Sequence, residues 1–247
     1  MTPTEPIVDP SAPLRVDIWS DVVCPWCAIG KAHLEAALRS FPAADRVELH
    51  WHSFELDPSA PAAIAGDHAE QLARKYGMSV ETARQRIAQV AATGAATGLD
   101  LRFDQVRPGN TFDAHRVLHL AADRGLQTQV KDRFLRGYFT EGAAIGLPEE
   151  VERLAVDAGL DRDEVAAVLE SDAYAAEVRA DEEDARRLGA TGVPFFVFDG
   201  RYAVGGAQPP EVMLQVLERC WEERRPAVEV LATAESGEVC GPDGCEI

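Results

Sequence analysis

Residues 14–38 decide the fold, and their sequence is LRVDIWSDVVCPWCAIGKAHLEAAL. Apolar and polar residues alternate over residues 14–19, which predicts a β-strand. Good helix formers surround an apolar stripe over residues 27–38, which predicts an α-helix. Between these two elements lies a Cys-x-x-Cys motif that begins at Cys24 and ends at Cys27.

The position of this motif predicts a redox site. Cys24 would lie at the N-terminus of the helix, where unpaired backbone N–H groups and the helix dipole favour a thiolate. Cys27 would lie one turn further on, close enough to form a disulfide with Cys24. An activated thiol followed by its own resolving thiol is typical of thiol-disulfide exchange.

A zinc site is the alternative interpretation of the motif. Cys24 and Cys27 could supply two tetrahedral ligands, and Cys240 and Cys245 could supply two more. The redox interpretation is favoured, because zinc knuckles lie in tight turns whereas this motif continues into a helix with Pro25 in its first turn. We therefore expect neither a metal nor another cofactor at this site.

Composition and charge exclude several classes of function. The chain has 247 residues with 24 basic and 42 acidic side chains, and its net charge of −18 argues against binding to nucleic acid or to an anionic membrane. No apolar run approaches the roughly 18 residues of a membrane span. The first residues lack the features of a secretion signal. The five cysteines are too few for a disulfide scaffold. These features predict a cytoplasmic protein with reactive rather than structural thiols.

The remaining periodic segments predict the order of the other elements. A second strand is predicted over residues 47–54, and a closing helix over residues 210–221. Asp199-Gly200 lies between two apolar runs, which predicts a two-residue β-hairpin. Between these elements the pattern predicts six or seven helices. The predicted division is an α/β unit of residues 14–56 and 189–225, an inserted helical subdomain of residues 57–188, and a tail of residues 226–247.

The tail carries its own pair of cysteines. Cys240 and Cys245 are separated by Gly-Pro-Asp-Gly, a turn-forming sequence that makes a disulfide between them geometrically feasible. Exposed thiols in such a segment oxidise readily. We expect this pair to act as an auxiliary redox site that exchanges electrons with Cys24 and Cys27.

Other candidate residues are given structural interpretations. His33, His50 and His52 are predicted to be packed or solvated rather than to act as bases. Asn110 could reach the active-site groove, but capping of a helix by Asn110 or Thr111 explains this position without chemistry. Cys220 lies among apolar residues of the last helix and is predicted to be a buried thiol.

The motifs in combination resemble the DsbA-like family of thioredoxin-fold oxidoreductases, and most of all its FrnE-type members. The resemblance covers residues 14 to about 225. It implies an α/β thioredoxin fold with a large all-helical insertion and a flexible C-terminal tail. The segments that carry the resemblance are Cys24-Pro25-Trp26-Cys27, Thr191-Gly192-Val193-Pro194, Trp19-Ser20-Asp21, Asn110-Thr111-Phe112-Asp113-Ala114-His115 and the tail cysteine pair.

The resemblance also implies a role for individual residues. Cys24 matches the family nucleophile and Cys27 its resolving partner. Val193 and Pro194 match a cis-proline segment that binds substrate, together with Pro25 and Trp26 of the motif. The expected activity is that of a protein thiol-disulfide oxidoreductase or isomerase, with protein disulfides or thiols as substrates and glutathione or another thiol as a further partner.

Two further expectations concern the chemistry. Because Pro25-Trp26 lacks the histidine of strongly oxidising relatives, we expect a moderate reduction potential, well below the strongly oxidising value of about −120 mV.

A glutathione-dependent isomerase or transferase similar to 2-hydroxychromene-2-carboxylate isomerase is the alternative on the same fold. Those enzymes resemble this chain but hold glutathione with a serine at the position of Cys24, where a second thiol such as Cys27 would be redundant.

Overall fold

A computed structural model describes residues 12–224 of the chain and places one four-stranded sheet among them. The order of the strands is β2-β1-β3-β4, with β1 parallel to β2, and β3 antiparallel to both β1 and β4. The strands are β1 (Leu14–Ser20), β2 (Val47–Ser53), β3 (Phe195–Phe198) and β4 (Tyr202–Gly205).

Helices surround the sheet. The first, α1, follows β1 after a short turn, and a 3-10 turn (Ala44–Arg46) precedes β2. The helices are α1 (Pro25–Ser40), α2 (His68–Tyr76), α3 (Val80–Ala96), α4 (Phe112–Asp123), α5 (Gln127–Phe139), α6 (Pro148–Asp157), α7 (Arg162–Leu169), α8 (Ala175–Arg187) and α9 (Pro210–Glu223). Seven of them, α2–α8, lie between β2 and β3, in agreement with the predicted helical insertion.

The sheet is covered on both faces. On one face α1 and α9 pack over a core that includes Val16, Ile18 and Phe196. On the other face Ala185 of α8 packs against Trp19. The central strand β1 is therefore buried on both sides, because it has a neighbouring strand at each edge and a helical layer on each face.

Most of the helical insertion shares its core with α1. Buried residues such as Phe134 and Leu154 form one cluster with Ala28 and Ile29 of α1, whereas α2 and α3 have a small cluster of their own around Ala73. The helix that carries the Cys-x-x-Cys motif therefore packs against the sheet and the insertion at once. The predicted boundary of the insertion at residues 57–188 stays a prediction.

The hairpin differs from the predicted one by a single residue. Asp199 and Gly200 both have positive φ (55° and 66°), and the Arg201 N–H donates to the Phe198 carbonyl over 3.0 Å. Strand pairing resumes with Phe198 opposite Tyr202, so the loop has three residues instead of two. Asp and Gly tolerate these φ values, which explains why the turn itself was predictable.

His52 joins β1, β2 and α8 on the face of the sheet that α8 covers. Its Nε2 lies 2.7 Å from Asp17 Oδ1, and its Nδ1 lies 2.7 Å from Asp181 Oδ1 on α8. Its ring also stacks on Trp19 with centroids 4.4 Å apart. Burial lowers the pKa of His52, but hydrogen bonds to the two carboxylates outweigh burial and raise it to about 9. His52 is packed, as predicted, and is also charged at neutral pH.

This charge predicts a pH-dependent stability. The folded pKa of about 9 lies above the ordinary value of 6.5, so the contribution of His52 is complete below about pH 6.5 and is lost as pH rises through 9. We expect His52→Gln to lower the free energy of unfolding by about 3 kcal/mol near pH 6 and by much less near pH 9.5. Urea unfolding of this variant and of His50→Gln, a half-buried neighbour on β2, measures the difference. Equal losses at the two pH values would contradict the prediction.

Candidate active site

The two motif cysteines lie together at the start of α1. Cys24 is the N-cap residue of α1, Pro25 occupies the first helical position, and the Cys27 N–H donates to the Cys24 carbonyl over 3.1 Å. Both cysteines are reduced and buried, with 4% and 1% of their surface exposed. The side chain of Trp26 between them is 43% exposed. The helix therefore begins directly after Cys24, as predicted, and both sulfurs lie at its N-terminal turn.

The segment before β3 lies against the dithiol. The Val193–Pro194 peptide bond is cis, and the Val193 carbonyl oxygen lies 3.7 Å from Cys24 Sγ, which donates to it. The Pro194 carbonyl accepts a 2.8 Å hydrogen bond from the Gly206 N–H. Gly30 of α1 lies opposite this segment. A Cβ atom on Gly30 would lie only 2.9 Å from Pro194 Cγ, so this close approach requires glycine.

A buried charged cluster lies behind the two sulfurs. Asp21 is 1% exposed, with its Oδ1 3.3 Å from Nε2 of the fully buried His115, and its Oδ2 accepts from the Leu56 N–H over 2.9 Å. Lys131 of α5 is also buried, and its Nζ donates to the Ser20 carbonyl over 3.4 Å. Burial would raise the pKa of Asp21, but His115 in particular holds it below its usual value. Burial lowers the pKa of Lys131.

The charge of Lys131 affects the two thiols unequally. Burial raises the pKa of Cys27, but its hydrogen bond with Cys24 and the charge of Lys131 together lower it below the usual value. The hydrogen bond to Cys27 and burial raise the pKa of Cys24. These surroundings therefore favour the thiolate form of Cys27 over that of Cys24. The prediction from sequence took into account only the helix N-terminus, which favours a thiolate at Cys24.

The dithiol opens onto a groove of about 660 Å³. The groove runs from Cys24 and Trp26 past Val193 to the α2 and α3 helices of the insertion. Its walls are mainly apolar, and they include Leu72, Ile87, Val90, Phe103 and Phe139. A volume of this size next to a reactive sulfur is sufficient to hold a ligand or part of a polypeptide.

Most of the chain matches one known protein family. A family model described as the DSBA-like thioredoxin domain matches residues 15–218. The chain belongs to this DsbA-like family. A crystal structure of a probable DsbA oxidoreductase from Streptomyces coelicolor is 48% identical, covers 95% of this chain and 99% of its own, and superposes with a TM-score of 0.82.

More distant structures share only the DsbA-like fold. A 2-hydroxychromene-2-carboxylate isomerase is 15% identical with a TM-score of 0.62, and covers 85% of this chain and 97% of its own. The cytosolic disulfide reductase DsbM from Pseudomonas aeruginosa, in a structure with GSH, is 18% identical with a TM-score of 0.59, and covers 83% and 98%. At these identities neither relative distinguishes redox chemistry from glutathione-dependent isomerisation.

The DsbA-like structure brings together most of the residues named from sequence. Cys24, Cys27, Pro25 and Trp26 meet Val193 beside the groove, and their chemical roles stay predictions. Cys240 and Cys245 lie outside the described residues, so the auxiliary redox pair and the four-cysteine zinc site also stay predictions. Within residues 12–224, no group of three or more potential ligand side chains is placed to hold a metal. Likewise, no described helix has the length and apolar character of a membrane span.

Three other residues considered in the sequence analysis make structural contacts or are buried. The Asn110 side-chain oxygen accepts from the Phe112 N–H over 2.9 Å, so Asn110 caps the start of α4. His33 Nδ1 lies 2.9 Å from the Gln208 carbonyl and ties α1 to the segment before α9. Cys220 is fully buried, and burial raises its pKa to about 11, as expected for an inert thiol.

Sequence reasoning missed the charged cluster behind the sulfurs. The sequence motifs include Asp21 and His115 but assign neither a role, and they do not include Lys131. A signal was present for two of them. His115 lies next to Ala114 on the apolar face of α4, and Lys131 lies beside Val130 on that of α5, where a charged residue is rarely buried without a partner.

Proposed function

We propose that this protein is a thiol-disulfide oxidoreductase that reduces or isomerises disulfides of protein substrates. The observation that carries the proposal is the pair of adjacent reduced thiols, Cys24 and Cys27, in the first turn of α1 beside a groove. A sulfur at a helix N-terminus with a second sulfur one turn away suits two successive exchange reactions. The membership of the chain in the DsbA-like family supports the same conclusion.

The reaction begins with attack by Cys24. As its proton leaves the Val193 carbonyl and passes to the neighbouring Cys27 thiolate, the Cys24 thiolate attacks one sulfur of a substrate disulfide. A mixed disulfide forms, and the other substrate sulfur leaves as a thiolate that takes up a proton. Cys24 is the more suitable attacking group, because it lines the groove and Cys27 does not.

Cys27 completes the transfer. It gives up its proton, with its thiolate favoured by the charge of Lys131, and attacks Cys24 Sγ. The mixed disulfide breaks, the second substrate sulfur leaves as a thiol, and Cys24 and Cys27 end as a disulfide. Two electrons and two protons have then passed to the substrate. A thiol reductant such as glutathione, converted to its own disulfide, returns the enzyme to the dithiol.

The segment around Val193 is proposed to hold the substrate chain. The Val193 N–H forms no hydrogen bond with any described residue, so it is available to a bound strand. The Val193 carbonyl already receives the Cys24 thiol, which places a bound strand next to the reacting sulfur. Pro25 and Trp26 line the same groove as Val193 and Cys24.

The paired thiols favour redox chemistry over the glutathione-dependent isomerase. An isomerase needs one group at position 24 to hold a glutathione thiolate, whereas a resolving thiol at position 27 would release any mixed disulfide formed there. We also infer that the protein works in a reducing compartment, the cytoplasm, where the direction of electron flow is towards the substrate.

The proposal is tested with the purified full-length protein. Equilibration in glutathione buffers should convert Cys24 and Cys27 to one internal disulfide, with a loss of mass equal to two hydrogens and quenching of Trp26 fluorescence. The midpoint should be clearly more reducing than about −120 mV. Catalysis of insulin reduction by glutathione should exceed the uncatalysed rate. A protein that forms no Cys24–Cys27 disulfide and does not accelerate this reaction would overturn the proposal.

A further inference from the structure

Exposed apolar side chains concentrate around the groove beside the dithiol. Within residues 12–224 the large hydrophobic residues with substantial exposure are Trp26, Leu56, Tyr76 and Leu188, and the first three line the groove. Tyr76 has the largest exposed fraction, 61%. An exposed apolar cluster of this kind is typical of a surface that binds another chain.

Unpaired cations lie on the same groove. Arg74 and Lys75 at the end of α2 and Arg86 on α3 line it, and none of the three forms a salt bridge or side-chain hydrogen bond with a described residue. Elsewhere in the described part most cations are paired, as Arg116 is with Asp113. These three cations outnumber Asp57, the exposed carboxylate among the groove residues, so the groove favours anionic groups although the chain has a net charge of −18.

One wall of the groove also carries an unsatisfied polar atom. His68 lines the groove with its ring stacked on Phe103, and its buried Nδ1 has no hydrogen-bond partner among the described residues. A buried polar atom without a partner costs free energy, which a bound hydrogen-bonding group would recover. The groove therefore suits an occupant that presents apolar, anionic and hydrogen-bonding groups together.

We propose that the groove selects protein disulfides in which an apolar residue and acidic residues lie next to the attacked cysteine. The apolar residue packs against Trp26, Leu56 and Tyr76, and the carboxylates lie near Arg74 and Arg86. This inference rests on the proposed function and names its substrate class. A small anionic disulfide such as oxidised glutathione would use the cations but would leave the three exposed apolar side chains uncovered, so a polypeptide fits the groove better.

The test uses three synthetic peptides that share one disulfide and one apolar residue beside the attacked cysteine. The flanking residues are Glu in the first peptide, Gln in the second and Lys in the third, and oxidised glutathione is the small-disulfide probe. The variant Arg74→Gln/Arg86→Gln removes two groove cations. Arg39→Gln/Arg102→Gln is its matched control, because both arginines are exposed, unpaired in the described part and absent from the groove.

Wild-type protein and the control variant should reduce the Glu peptide with a kcat/KM about tenfold above that of the Lys peptide at low salt. The groove variant should lose this preference, and its kcat/KM should fall more on the Glu peptide than on the Gln peptide or the Lys peptide, relative to the control variant. Salt of about 0.5 M should remove the preference in all proteins, because it screens exposed charges.

Several results would overturn the proposal. Equal rates on the Glu and Lys peptides, or equal losses in the groove and control variants, would show that the cations do not select substrate. A groove variant impaired only on oxidised glutathione would show that the cations serve a small disulfide. In these cases the oxidoreductase function would stand, whereas failure to reduce any of the probes would overturn that function as well.

Discussion

Replacing Cys24 by serine is expected to abolish disulfide reduction, with a loss of at least about a thousandfold in turnover. A serine hydroxyl is not ionised near neutral pH and cannot form a mixed disulfide, so the first step has no nucleophile. Insulin reduction by glutathione should then fall to the uncatalysed rate. Serine is close to cysteine in size, so the free energy of unfolding should change far less than the activity does.

Replacing Cys27 by serine should give a different defect. Cys24 can still attack, but no resolving thiol follows, so the protein should accumulate as a mixed disulfide with its substrate. Non-reducing gels and mass spectrometry detect this species, which should be absent for Cys24→Ser. Cys220→Ala is the control, because Cys220 is buried on α9 away from the groove and should leave turnover near the wild-type value. A mixed disulfide on Cys27 in the Cys24→Ser protein would contradict the assigned order of attack.

The placement of the two cysteines at the start of α1 could be predicted from the sequence because the information is local. The strand, the Cys-x-x-Cys motif and the helix are consecutive in sequence. Proline is favoured at the first position of a helix, so Pro25 indicates that α1 begins there and that Cys24 is the N-cap residue. The Asp199-Gly200 turn is equally local, since its two positive φ values depend on those two residues. Its loop length depends on strand register, which is not local, and there the prediction was wrong by one residue.

The environment of the dithiol could not be predicted in the same way. Lys131 reaches the Ser20 carbonyl from a helix 111 residues further along the chain, and His115 reaches Asp21 across 94 residues. The pattern of α5 and α4 predicts which face of each helix is buried, but not which part of the other helices or the sheet it meets. The relative pKa values of Cys24 and Cys27 depend on these contacts. The sequence-based prediction considered only the helix N-terminus, and it therefore assigned the thiolate to Cys24.

The groove could not be predicted from the sequence either, because its residues come from separate segments of the chain. Trp26, Leu56 and Tyr76 lie in three separate segments, and each by itself is an ordinary exposed apolar residue. Only the packing of α2 and α3 over the active-site end of the sheet brings them to one surface together with Arg74 and Arg86. The sequence therefore predicts the two thiols, and the structure adds the groove that lies beside them.

Replacing Gly30 by valine is expected to lower turnover by about a hundredfold through the segment that faces Cys24. A Cβ atom at this position would lie 2.9 Å from Pro194 Cγ and 3.2 Å from Phe196 Cζ, so Pro194 must move away from α1. The Val193 carbonyl, now 3.7 Å from Cys24 Sγ, would move with it. Displacements of about 1 Å in a reacting site reduce rates on this scale. Overpacking should also lower the free energy of unfolding by about 1–3 kcal/mol.

Gly205→Val provides the matched control, because a Cβ at Gly205 meets no atom within 4 Å and the residue lies outside the groove. Insulin-reduction rates and urea unfolding should place Gly205→Val near the wild type and Gly30→Ala between the wild type and Gly30→Val. Iodoacetamide labelling of Cys24 in each variant separates the two effects, since a displaced Val193 carbonyl removes the hydrogen bond from the thiol and changes its rate of alkylation. If Gly30→Val retained both wild-type turnover and wild-type labelling, the contact between α1 and Pro194 would not position the substrate segment.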